Sequence, residues 1–138
     1  MGVRVVHVVV YSVEPPRILL LLRPAARAAG WQGVTGRVEA TDPDLAAACL
    51  REIAEETGLP APDALTDLEH ERSFAGYDDV TYDQRSFAAR YATPIAPRLS
   101  DEHEDARWVD PHEALGMVRW ESDRTAIERL LREEPAFK

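Results

Sequence analysis

Residues 36–59, GRVEATDPDLAAACLREIAEETGL, decide how the rest of the chain is read. Their second half contains Arg51-Glu52-Ile53-Ala54-Glu55-Glu56-Thr57-Gly58-Leu59. A helix turns about 100° per residue, so Glu52, Glu55 and Glu56, at i, i+3 and i+4, become neighbours on one face. Three such carboxylates repel one another, and helix stability does not ask for them. A hard divalent cation does, because Mg²⁺ takes oxygen ligands and shares its shell with waters and substrate phosphates. Acidic helix faces are also common as plain solvated faces, so the flanks must decide. Asp42 reads as the N-cap, Pro43 as the first helical residue and Gly58 as the left-handed stop. Leu45, Cys49 and Ile53, four apart, form a stripe that packs on a sheet and holds the carboxylates outward. Thr35-Gly36 closes the preceding loop, where glycine permits close approach and a backbone carbonyl is placed to join a metal shell.

This stretch resembles the box of the Nudix (MutT-like) family, G-x5-E-x7-R-E-U-x-E-E-x-G-U, with U a bulky aliphatic residue. Residues 51–59 match its second half at every specified position. The resemblance implies that Gly36, Glu52, Glu55 and Glu56 bind a divalent cation, Mg²⁺ or Mn²⁺, and that Arg51, Glu52 and Glu55 belong to the catalytic set. The first half departs from the pattern. Gly36 to Arg51 is one residue longer, and counting back from Arg51 puts the first box glutamate on Pro43. Asp42 or Asp44 stands in for it, and the expected geometry shortens the 39–41 loop and starts the helix two residues early. Arg51 is then expected to pair with Asp42, Asp44 or Glu55 and to orient the helix.

The chain of 138 residues reads as a single domain over 1–138, with enough length for a core of its own. Its formal charge of −9 argues against a general nucleic-acid-binding surface, yet not against a phosphate substrate, since a metal supplies positive charge. Cys49 is the only cysteine, which excludes an internal disulfide and points to a reducing cytoplasm; on the apolar helix face it reads as a buried, inert thiol. MGVRVVHVVVYSV carries no secretory h-region with a cleavage site, and no apolar run approaches membrane-spanning length.

In chain order, Val3–Val13 is β-branched and reads as a strand, 14–17 as a turn, and 18–22 as a second, interior strand forming a hairpin with the first. Arg23 ends it, as a surface charge or as a residue facing substrate phosphates. After a loop at 24–30, residues 31–36 read as a short strand. Trp31 is read as a core or lid residue, or as a surface for a base. Strands are expected at 64–74 and 82–91, separated by the turn Gly76-Tyr77-Asp78-Asp79. His70 reads as a solvated strand residue. The acidic stretch 100–105 precedes a strand at 107–109. Asp110 caps a short helix with Glu113 at N3, and Ser122 starts a last helix burying Ile127, Leu130 and Leu131, with Trp120 packed where these helices meet.

The order β-β-β-α-β-β-β-α-α implies the α/β (α+β) Nudix fold, a mixed β-sheet sandwiched between helices. The resemblance implies hydrolysis of a nucleoside diphosphate linked to another group X. His103 and Trp108 fit an E-H-x-E-x-x-W pattern carried by many family members, which implies a further site carboxylate, Glu102 or Glu104, with Glu102 favoured. Trp31-Gln32-x-Val34-Thr35-Gly36-x-Val38-Glu39, with Trp120 and 124–128, is similar to bacterial dATP pyrophosphohydrolases that also act on dihydroneopterin triphosphate. That likeness implies a (deoxy)nucleoside or pterin triphosphate losing pyrophosphate, with Arg23, Trp31 and Gln32 binding substrate. The alternatives are a dinucleoside-polyphosphate or ADP-ribose hydrolase and a catalytically silent binding module. The expected partner is a small nucleotide-type molecule, with no nucleic-acid polymer and no membrane, in a monomer or homodimer.

Overall fold

The computed structural model describes residues 2–76 and 78–138, with Arg27 described by its backbone alone. Tyr77 of the expected 76–79 turn lies outside the described residues. The β-branched run Val3–Val13 is strand β1 and pairs antiparallel with β2 (Pro16–Arg23) as the expected hairpin. The strand expected at 31–36 is two strands, β3 (Gly30–Gln32) and β4 (Val34–Arg37). Gly33 is the reason for the break. A Cβ there would lie 2.6 Å from the Val8 carbonyl oxygen, so only glycine lets the chain cross from the edge of β2, which β3 pairs, to the edge of β1, which β4 pairs.

Helix α1 (Leu45–Thr57) follows, then β5 (Ala64–Ala75), β6 (Thr81–Tyr91), β7 (Asp105–Val109), α2 (Pro111–Met117) and α3 (Glu121–Glu133). The seven strands form one mixed sheet of order β3-β2-β1-β6-β5, with β4 against β1 and β7 against β2; β1 and β6 are parallel. Side chains alternate along a strand, and β1 uses both sets. Val6, Val8 and Val10 bury against Cys49 and Ile53 of α1, whereas Val9 and Tyr11 bury with Ala126, Ile127 and Leu130 of α3. The sheet is therefore sandwiched between helices as expected. Burial pushes the Cys49 thiol up to about 12, the inert state read from its place on the stripe.

Two local readings are corrected. Asp42 does not cap α1 and Pro43 is not helical: Asp44 is the N-cap, its side chain accepting from Ala47 N at 2.8 Å, and the helix starts at Leu45 rather than earlier. The extra box residue is absorbed before the helix, in a turn where Asp42 N donates to the Glu39 carbonyl and Glu39 N donates to the Asp42 carboxylate. The last helix begins at Glu121, one residue before Ser122, and Leu131 is only half-buried, while Ser122 and Asp123 are buried.

Candidate metal and phosphate site

Helix α1 presents Glu52, Glu55 and Glu56 to a cleft of about 1080 Å³, whose lining also includes Gly36, Arg23, Gln32, Glu102 and Trp120. The apolar stripe sets this rotation. With Cys49 and Ile53 down on the sheet, the carboxylates at 52 and 56 are drawn into the seam beside β4, leaving Glu52 and Glu56 buried and Glu55 exposed. Gly36 is required by that seam, since a Cβ there would fall 2.0 Å from the Glu52 carboxyl carbon.

Arg51 stands behind the carboxylates and does not line the cleft. Its Nε and Nη2 donate to the two Asp42 oxygens at 3.0 and 2.8 Å, a bidentate pair. Nη1 donates to Glu52 at 2.8 Å and to Glu55 at 3.2 Å, and Nη2 also reaches the Arg37 carbonyl at 2.9 Å. Of the two aspartates left open by the sequence, Asp42 is thus the one that meets Arg51. Freed from capping, it holds the guanidinium from the loop side while the helix carboxylates hold it from the other. The Arg51 hydrogen bonds keep the Asp42 carboxyl below its ordinary value.

Burial, partly countered by Arg51, raises the pKa of Glu52. Glu56 is pushed up to about 9 by burial, and then by the Glu52 and Glu102 carboxylates. Its Oε2 is buried without a hydrogen-bond partner among the described residues. An orphaned buried carboxylate oxygen among like charges is a costly arrangement unless a cation joins it. The donor set, carboxylates plus a backbone carbonyl, suits a hard divalent ion. The residues present therefore fit the group that the spacing called for.

Arg23 and Gln32 line the cleft, and Trp31 does not. Trp31 packs on the α3-side core with the Arg107 guanidinium 5.1 Å over its ring, in keeping with its reading as a core residue. Among the described residues, Trp120, Phe74 and Tyr82 are the aromatics lining the cleft; Trp120, at the start of α3, is flanked by the guanidinium groups of Arg23 at 5.7 Å and Arg119 at 5.4 Å. Of the acidic stretch, Glu102 lines the cleft; Glu104 does not, and its backbone N–H donates to the Leu22 carbonyl. His70 sits away from the cleft, beside the bulge where β5 slips register against β6.

Further cleft residues escaped the sequence reading. His7 places Nδ1 2.9 Å from Ser86 Oγ and Nε2 2.7 Å from Asp123 Oδ1, and that oxygen also accepts from Gly33 N at 2.8 Å. Ser122 donates to the Gln84 side chain beside them. The available signal was His7 itself, a lone imidazole in the valine run of β1; its partners, 79 and 116 residues away, leave none.

Comparisons agree with this geometry. The NUDIX domain family model matches residues 2–134. The octanoyltransferase of Myxococcus xanthus is 34% identical over 116 residues, covering 82% of this chain and 32% of that protein, so the chain spans about a third of the length of the curated relative it matches. Among solved structures, the E. coli dihydroneopterin triphosphate pyrophosphohydrolase superposes with a TM-score of 0.79 at 23% identity, covering 94% of each chain. The NUDIX domain of Shewanella oneidensis NrtR, complexed with ADP ribose, gives 0.78 at 18% identity over 96% of this chain and 88% of that one. The MutT protein of Methanosarcina mazei gives 0.76 at 25% identity, covering 97% and 96%. No helix among the described residues is long and apolar enough to cross a membrane. With the box carboxylates on one helix face, the sheet between helices and a family match across nearly its whole length, the chain belongs to the Nudix family.

Proposed function

We propose that this protein is a pyrophosphohydrolase dependent on Mg²⁺ or Mn²⁺, acting on a nucleoside diphosphate linked to a further group. Within that class we infer a (deoxy)nucleoside or pterin triphosphate, cleaved to the monophosphate and pyrophosphate. The supporting observation is the convergence of Glu52, Glu55 and Glu56 on one cleft that also holds Arg23 and Trp120. The fold likeness to a dihydroneopterin triphosphate pyrophosphohydrolase favours the triphosphate reading. The proposed setting is the cytoplasm, where Cys49 stays a thiol.

Glu52, Glu55, Glu56 and the Gly36 carbonyl would hold the cation. When bound, it supplies Lewis acidity, neutralising phosphate charge and acidifying water. Arg51 orients Glu52 and Glu55 from behind, pinned by Asp42. Arg23 offers its guanidinium to the phosphates, and Trp120 offers a ring face to the heterocycle. Glu102, exposed at the cleft, is the proton acceptor for the attacking water, because the helix carboxylates are occupied as ligands.

A panel with Mg²⁺, read by product chromatography, tests this proposal. It would contain the deoxynucleoside triphosphates, dihydroneopterin triphosphate, ADP-ribose and diadenosine tetraphosphate. Pyrophosphate released from a triphosphate is the expected result. Turnover confined to ADP-ribose or the dinucleotide moves the assignment to those hydrolases. No turnover of any member with Mg²⁺ or Mn²⁺ overturns the enzymatic reading in favour of a binding module.

A further inference from the structure

The cleft beside Trp120 holds a polar array that the metal and phosphate chemistry leaves unused. Asp123 is buried, at 2% exposure, yet it lines the cleft. Its Oδ1 is fully engaged, accepting from the Gly33 N–H at 2.8 Å and lying 2.7 Å from His7 Nε2. Oδ2 meets no donor among the described residues, and it is not sealed off from the cleft. A carboxylate pinned through one oxygen cannot turn the other away, and a buried acceptor gains free energy only when a donor reaches it. Next along the helix, the Ser122 hydroxyl donates to Gln84 Oε1. That leaves the Gln84 amide N–H groups without an acceptor among the described residues, on a side chain that also lines the cleft. His7 and Gln84 rise from one sheet face, since His7 pairs with Ser86 of β6, two residues from Gln84. Trp120 precedes Asp123 by three positions, so an aromatic face, an anionic acceptor and an amide donor are gathered in one place.

We propose that Asp123 and Gln84 determine specificity, selecting a heterocycle with the 2-amino-4-oxopyrimidine edge that guanine and pterin share. That edge presents two adjacent N–H donors, one exocyclic and one on the ring, followed by a carbonyl. The donors fill the free lone pairs of Asp123 Oδ2, and the carbonyl accepts from the Gln84 amide. Adenine and cytosine carry a ring lone pair where this edge has its N–H, and thymine flanks its single N–H with carbonyls. Each of them turns an acceptor toward the carboxylate, and a site built for donors rejects such a ring by leaving its own buried groups unpaired. The proposal rests on the functional reading above and names the heterocycle for the same cleft. The rival arrangement is structural, with Asp123 only tying His7 and Gly33 to the start of α3.

The test is steady-state kinetics of the full chain with Mg²⁺ on the triphosphates of deoxyguanosine, deoxyinosine and deoxyadenosine. From deoxyguanosine, kcat/KM should fall roughly tenfold to deoxyinosine, which lacks the amino group, and about 100-fold or more to deoxyadenosine. Dihydroneopterin triphosphate should share the advantage over the adenine substrate. Asp123→Asn keeps an oxygen for Gly33 and His7 while turning an N–H donor toward the cleft, so it should erase the guanine preference. Gln84→Leu should narrow that preference, and it decides together with the substrate series if Asp123→Asn fails to fold. Equal kcat/KM for the guanine and adenine substrates overturns the proposal. So does a loss in Asp123→Asn shared equally by all substrates, the mark of a structural role. Binding of deoxyguanosine and deoxyadenosine monophosphates, followed by tryptophan fluorescence, separates this site from the hydrolase assignment. Tighter guanine binding with no turnover of any triphosphate upholds the site and sinks hydrolysis, whereas turnover without preference does the reverse.

Discussion

Two buried polar clusters lie along the same cleft, one built around Glu52 and Glu56 and the other around His7 and Asp123, and their hydrogen bonding differs. In the second cluster both ring nitrogens of His7 have partners, and Asp123 Oδ1 receives His7 and the Gly33 N–H together. In the first, like charges meet and the Glu56 Oε2 atom has no donor among the described residues. Burial costs both clusters alike, yet only one has its compensation inside the protein. A satisfied cluster holds the start of α3 against the floor of the cleft. Under the proposed function, a bound cation supplies the compensation that the first cluster lacks.

The comparison breaks most visibly at Glu56. Glu56→Gln should lower turnover by orders of magnitude while the fold survives. Because its raised pKa keeps Glu56 protonated at neutral pH in the metal-free protein, the neutral amide should leave that form about as stable as the parent. Unchanged turnover on the active substrate would remove Glu56 from the site. Asp123→Ala should do the reverse and damage the fold first. It deprives His7 and the Gly33 N–H of their shared acceptor, and leaving a buried donor unsatisfied costs about 1–3 kcal/mol, read as a lower melting midpoint. A melting temperature within error of the parent would show the second cluster to be dispensable.

The loop aspartate comes next. Asp42→Ala should cut metal affinity or activity by about 10–100-fold, the range for a group that orients ligands, with partial recovery in Asp42→Glu. Calorimetric Mg²⁺ titration of both variants is the check, and full affinity in Asp42→Ala would mean that the helix carboxylates hold Arg51 unaided.

The pH response follows from Glu56, whose pKa is raised in the fold from 4.5 to about 9. A carboxyl raised on folding stabilises fully below its unfolded value and loses that contribution as pH climbs through its folded value. Metal-free protein should therefore melt lower at pH 8 than at pH 5. Mg²⁺ should cancel the difference and release protons on binding, measured by calorimetry in buffers of different ionisation enthalpy. Glu56→Gln should flatten the slope, and a parent that is more stable at pH 8 without metal contradicts the Glu56 contribution. The smallest effect belongs to Asp44. Asp44→Ala should cost about 1 kcal/mol as a lost N-cap and leave Mg²⁺ affinity unchanged, separating the capping aspartate from the one that grips Arg51.

The period of 3.6 in residues 45–59 was enough to put three carboxylates on one face and the apolar stripe on another, because both properties are local to one helix. The valine-rich Val3–Val13 likewise declared its strand, and the sheet between helices followed from the order of elements. What crosses the chain was not written locally. The choice of Asp42 over Asp44 depended on how one extra residue folds into the 39–42 turn, where two aspartates of equal capping chemistry compete. The removal of Trp31 from the cleft and the arrival of Trp120 depended on which face of β3 met α2 and α3. His7 and Asp123, 116 residues apart, became partners only when β1 and the start of α3 were brought together. Side-chain spacing within an element is set by backbone geometry and is legible in sequence. Which elements share a wall is decided by packing over the whole sheet, and only the tertiary structure carries it.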